Sequence, residues 1–102
     1  MMSQNNINVP KAKIINYCKQ HHILEFAFFG SVLTNDFRPD SDIDILLRFE
    51  PDCHYSLYDI MDIRDDFRDM LGYDVDLVEK QALKNPFRRH EILKHMEIIY
   101  AA

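Results

Sequence analysis

Asp42-Ile43-Asp44 runs directly into Ile45-Leu46-Leu47. Alternation over 42–45 followed by an unbroken apolar stretch predicts a strand over Ser41–Phe49, buried at its core. Residues two apart on a strand share a face, so Asp42 and Asp44 open it as a pair. Carboxylates at the mouth of an apolar strand are costly unless paired or bound to a cation. The plainer alternative is a turn through Asp40, Ser41 and Asp42, with Asp44 in water. It fits poorly with an apolar run that begins at the very next residue.

The remaining elements follow from pattern and punctuation. Ile14, Ile15 and Cys18 stand at helical spacing after Pro10, predicting a first helix over 11–22 that ends near His21-His22. Glu25–Phe29 reads as a buried aromatic strand stopped by Gly30. Ser56, with Asp59 three residues on, caps a helix whose inward stripe is Leu57, Ile60, Ile63, Phe67, Met70 and Leu71, and Gly72 stops it. Its wet face carries Asp62, Asp65, Asp66 and Asp69. Asp74–Glu79 is a third strand. Asn85 and Pro86 start a last helix carrying Ile92, Leu93, Met96 and Ile99. The order is that of a small single-domain α/β fold, with a mixed sheet of three to four strands flanked by helices.

Composition narrows the function classes. With 102 residues, 47% hydrophobic and 28% charged, the chain is expected to form one globular domain over 1–102. No apolar run approaches membrane-spanning length. The N-terminus Met-Met-Ser-Gln-Asn-Asn lacks a basic start and an apolar signal core, so a cytoplasmic address is expected. Cys18 and Cys53 form no spaced pair and read as free thiols. A net charge of −5 argues weakly against a general nucleic-acid binder. The charge is unevenly spread. All twelve aspartates lie between Asp36 and Asp76, whereas Lys80–Lys94 holds five cations against Glu91 alone. An acidic middle beside a basic end suits a metal site next to a polyphosphate, although an acidic partner-binding protein has the same signature.

The chain has only two glycines. Gly72 is explained by the helix stop, whereas Gly30 precedes Ser31 at a strand end, where it permits close approach of a ligand to the backbone. If residues 31–35 turn as a short helix, its first N–H groups and the Ser31 hydroxyl form a phosphate cradle. Ten residues separate Ser31 from Asp42, the first of the Asp42/Asp44 pair, and Asp76 lies on a strand that can pair beside it. Carboxylate oxygens plus a phosphate select Mg²⁺, and three carboxylates can hold two such ions. Arg38 is placed either to reach a phosphate or to balance Asp36 and Asp40.

Phe29-Gly30-Ser31, Arg38-Pro39-Asp40-Ser41-Asp42-Ile43-Asp44 and Val75-Asp76-Leu77-Val78 resemble the three signatures of the minimal nucleotidyltransferase family, a branch of the DNA polymerase β-like nucleotidyltransferases. The resemblance spans nearly the whole chain. It implies that Gly30 and Ser31 bind the triphosphate of ATP, that Asp42 and Asp44 hold two Mg²⁺ ions, and that Asp76 completes the site and assists deprotonation of the acceptor. Family members are commonly encoded beside an all-helical HEPN protein, a ribonuclease toxin. The resemblance implies an antitoxin that transfers AMP from ATP to a tyrosine of that toxin. The competing readings are a binding module that neutralises its partner by occlusion, and transfer to a nucleic acid or small molecule.

Other residues have plainer explanations. Asp74 shares a strand face with Asp76 but follows Gly72-Tyr73 and belongs to the turn. His90 and His95, five apart, point about 140° from one another on a helix and do not make a metal pair. Arg88, Arg89 and Lys94 suit a nucleotide, an acidic partner or a solvated helix face. Nothing in the sequence marks a base-reading pocket.

Overall fold

The computed structural model describes residues 7–102, so the N-terminal stretch behind the expected cytoplasmic address lies outside the described residues. The elements in order are α1 (Lys11–Gln20), β1 (Ile23–Phe29), a single 3-10 turn (Gly30–Leu33), β2 (Ile43–Phe49), α2 (Leu57–Leu71), β3 (Val75–Glu79), a second 3-10 turn (Lys80–Ala82), α3 (Pro86–His95) and β4 (Glu97–Ala101). Together they give the expected α/β sandwich, with a mixed sheet in the order β3-β2-β1-β4. β1 is antiparallel to both β2 and β4, while β2 and β3 run parallel. Parallel neighbours need a crossover, and α2 supplies it.

Side-chain alternation divides the sheet into two faces. On one, Phe26, Phe28, Ile43, Ile45, Leu47 and Val75 pack against α1 and α2, through Ile14 and Cys18 of α1 and Ile63, Phe67 and Leu71 of α2. On the other, Ala27, Phe29 and Leu46 meet Ile92 of α3 and Leu83. A fully buried side chain of this kind is worth about 1.5–3 kcal/mol, so the larger first face dominates stability. Burial pushes the Cys18 thiol up to about 12. Both cysteines are free, as the sequence predicts.

The helix signals map onto real caps. Ser56 and Asp59 form a reciprocal capping box, the Asp59 N–H donating to Ser56 Oγ at 3.2 Å and the Ser56 N–H to Asp59 Oδ2 at 2.9 Å. Gly72 ends α2 in the left-handed region, at φ 78°. Asn85 Oδ1 accepts from the N–H groups of Phe87 and Arg88 at 3.0 and 3.1 Å. The first helix is two residues shorter than predicted. His21 caps it, stacking on Tyr17 with ring centroids 3.8 Å apart, and His22 adopts φ 58° before β1.

The end of the chain departs from the prediction. Met96 and Ile99 do not continue α3; Met96 is its C-cap, with φ −63° and ψ 153°, and Ile99 lies in β4. The spacing 92, 93, 96, 99 imitates a helical stripe. In β4 the true period is two, with Ile99 buried in the first core and Ile98 half exposed. β4 also satisfies the free backbone edge of β1, which a helix could not do. Among the described residues, no helix is long and apolar enough to cross a membrane.

Candidate active site

Three chain segments meet at one end of the sheet. β1 ends at Phe29, which is in register with Asp44 of the antiparallel β2, so Gly30 turns away immediately beside Asp44. The approach is close: a Cβ placed on Gly30 would stand 2.3 Å from Asp44 Oδ2, and φ is 79°. Gly30 is therefore required twice, by its left-handed backbone and by the carboxylate against it. The glycine makes room for a neighbouring side chain, a reason that sequence inspection did not supply.

Ser31 lies in the 3-10 turn that follows, slightly tighter than the helix expected over 31–35. Its carbonyl accepts from both the N–H (2.9 Å) and the hydroxyl (3.0 Å) of Thr34, which closes the turn. A second turn precedes β2. The Arg38 N–H donates to Ser41 Oγ at 3.0 Å and the Ser41 N–H to the Arg38 carbonyl at 2.9 Å, fixing the approach to Asp42. The Arg38 side chain is exposed.

Asp76 of β3 is directly in register with Asp44 on the parallel β2. Their strand neighbours Ile43, Ile45, Val75 and Leu77 face the first core, so Asp44 and Asp76 face the α3 side of the sheet. Asp42 lies one residue before the ladder begins, as Asp74 does on the adjacent strand, where its carbonyl accepts from the Ile43 N–H at 2.9 Å. Asp74 thus belongs to the turn, as expected.

Electrostatics single out Asp44. Burial raises its carboxyl above the usual 3.8, the negative charges of Asp76 and then Asp42 raise it further, and Arg88 alone opposes them. Asp42 and Asp76 are exposed, with oxygens open to a ligand. Among the described residues no three acidic, histidine or cysteine side chains form a finished metal cage. The donor chemistry nevertheless suits Mg²⁺. Three hard carboxylates share one sheet end, and a small divalent cation completed by phosphate and water oxygens relieves their repulsion.

Two sets of neighbours were not assigned from sequence. Arg64 and Arg68, one turn apart on α2, line a polar cavity of about 270 Å³ with Asp42 and Asp74. Their spacing was a readable signal, obscured by the aspartates around them. On the α3 side, a larger cavity of about 440 Å³ opens against Phe29, Gly30 and Leu33. Arg89 is accounted for structurally, since its Nη1 donates to the Lys80 carbonyl at 3.0 Å. His95 pairs with Glu91 at 3.6 Å, one helical turn away, rather than with His90.

Comparison with known proteins agrees with this geometry. The polymerase beta nucleotidyltransferase family matches residues 12–102. A Methanocaldococcus jannaschii protein assigned by inference as a protein adenylyltransferase is 36% identical over 72% of this chain and 74% of its own length. The protein adenylyltransferase MntA of Thermococcus cleftensis is 36% identical over 62% of each chain. A solved structure assigned by inference as a minimal nucleotidyltransferase superposes with a TM-score of 0.70 at 29% identity, covering 85% of this chain and 86% of that one. At 18% identity, the MNT antitoxin complex with tri-AMPylated Shewanella oneidensis HEPN toxin shares the fold, with a TM-score of 0.64 over 90% of this chain and 70% of that one. Sequence and fold converge, and this chain belongs to the polymerase beta nucleotidyltransferase family, with the fold of its minimal branch.

Proposed function

We propose that this protein is a Mg²⁺-dependent protein adenylyltransferase that moves AMP from ATP onto a hydroxyl, a tyrosine of a HEPN-type toxin, and so acts as its antitoxin. The carrying observation is the register of Asp44 with Asp76, preceded by Asp42 and packed under Gly30. The relatives named as protein adenylyltransferases support a protein acceptor, and the AMPylated toxin complex of the same fold supports the partner.

Gly30 and Ser31 bind the triphosphate, with Arg38 at the rim. Asp42, Asp44 and Asp76 hold Mg²⁺, which when bound neutralises phosphate charge and acidifies the acceptor hydroxyl. The acceptor oxygen attacks the α-phosphorus in line. A new phosphorus–oxygen bond forms, the α–β bridging bond breaks and pyrophosphate leaves, while Asp76 takes up the hydroxyl proton. The chain's contribution is positioning and charge neutralisation.

Incubation with ATP labelled at the α-phosphate, Mg²⁺ and the protein encoded next door tests the proposal. Label transfers to the partner with the native chain, and transfer falls on the order of a thousandfold with Asp42→Asn plus Asp44→Asn. Undiminished labelling by that variant contradicts the assignment.

A further inference from the structure

We propose that Arg64 and Arg68 form a docking point for the acceptor protein, holding an acidic side chain of that protein close to the hydroxyl that is modified. The inference rests on the adenylyltransferase reading above and adds to it the recognition of the second substrate. The two arginines stand one turn apart on α2 and line a polar cavity of about 270 Å³ with Asp42, Asp74 and Val75. That volume is below the usual range of pockets that enclose a whole small ligand, and it is ample for one carboxylate side chain.

The cavity and the phosphate cradle lie on opposite sides of the carboxylates. In the sheet order β3-β2-β1-β4, Gly30 and Ser31 follow β1, an inner strand. The cavity instead takes in Asp74 and Val75 at the start of β3, the edge strand, together with the crossover helix α2. A triphosphate lying along Gly30 and Ser31 therefore leaves the β3 side free for the acceptor. Asp76, which takes the hydroxyl proton in the proposed reaction, follows Val75 directly on that strand. Asp42 belongs both to the carboxylate set and to the cavity lining, so the docking point adjoins the reaction centre.

The chemistry of the pair suits a carboxylate. A guanidinium carries five N–H donors in a planar fork that matches the two oxygens of a carboxylate. Here the forks are loosely engaged. Asp65 lies 3.5 Å from Arg64 Nη2 and 3.6 Å from Arg68 Nη1, and Asp69 lies 3.9 Å from Arg68 Nε, all long contacts on the helix surface. Exposed pairs of this kind contribute about 0–1 kcal/mol, so a better-matched anion displaces them readily. Among the described residues, neither guanidinium makes an ion pair with Asp42 or Asp74, and both side chains are about half exposed. Asp42 is neutralised when it holds Mg²⁺, which removes a repulsion that an incoming carboxylate would otherwise meet.

Two synthetic peptides test the docking point, Glu-Glu-Tyr-Glu-Glu and Gln-Gln-Tyr-Gln-Gln, each titrated into the protein with Mg²⁺ and AMP-PNP and followed by NMR. The native chain is expected to bind the acidic peptide about tenfold more tightly, a ranking opposite to the one that its net charge of −5 alone would give. Arg64→Ala with Arg68→Ala, whose folding the same spectra report, removes that preference and leaves AMP-PNP affinity unchanged. Equal binding of the two peptides by the native chain overturns the proposal, as does a preference that survives the double substitution. Weakened AMP-PNP binding by the variant overturns it too, because the pair would then serve the triphosphate. If the peptide preference behaves as expected but no acceptor takes label from ATP, the adenylyltransferase reading fails and the docking point stands.

Discussion

At the scale of single residues, the two glycines share a backbone conformation and differ in everything else. Gly72 has φ 78° and open space within 4 Å of where a side-chain carbon would stand, whereas Gly30 has φ 79° and faces Asp44 Oδ2. Alanine at either position costs about 1–2 kcal/mol in backbone strain. Only at Gly30 must the carboxylate also move. Gly30→Ala is therefore expected to lower transfer about a hundredfold, the effect of roughly 1 Å of misplacement, whereas Gly72→Ala lowers the melting temperature and leaves transfer intact. Parallel melting curves and transfer rates check the contrast. Both glycines and the Asp42/Asp44 pair were legible because their residue types and spacing are local, whereas Asp76 meets Asp44 only through the parallel pairing of β3 with β2. The reason for Gly30 was not legible, because it depends on the antiparallel register that sets Phe29 opposite Asp44.

At the scale of elements, capping chemistry was the most readable signal. Ser56 with Asp59, and Asn85 with Pro86, start α2 and α3 where the sequence places them. Ser56→Ala removes one half of the capping box and is expected to cost about 1 kcal/mol in chemical denaturation without altering transfer. A loss well above that would mean that Ser56 supports more than its helix. β4 shows where local reading ends. A short apolar stretch at this spacing fits helix and strand alike, and what decides is the unfilled edge of β1. Arg64 and Arg68 were similarly obscured, since only the folded α2 sets them beside Asp42.

At the scale of the whole molecule, the sheet separates stability from chemistry. α1 and α2 cover the face with the larger core, and the carboxylates face α3. The two halves of the sheet are tied by Glu25 of β1, which accepts from Arg48 of β2 and from Lys80 beyond β3, the latter at 2.9 Å. Burial alone would raise the Glu25 carboxyl, but the hydrogen bonds and charges of Lys80 and Arg48 outweigh it and hold it below the usual 4.5. A depressed carboxyl stabilises the fold above its ordinary pKa, and the contribution is lost as pH falls through 4.5 and below. Glu25→Gln is therefore expected to cost about 2 kcal/mol at pH 7 and to flatten the acid limb of the stability curve. An acid limb as steep as the native one would contradict this.

The cavity beside Gly30 also belongs to this scale. Its walls come from β1, the following turn and α3, elements far apart in the chain, so no local pattern announces it. The paired aspartates, by contrast, were already anomalous as sequence, and the fold supplies Asp76 as their neighbour.

Label transfer from ATP to a HEPN-type partner protein is the most direct measurement of the central claim. The native chain with Mg²⁺ is predicted to move α-phosphate label onto that protein, and the Asp42→Asn, Asp44→Asn variant to lose the transfer. Absence of label with the native chain, or equal label with the variant, would contradict the account.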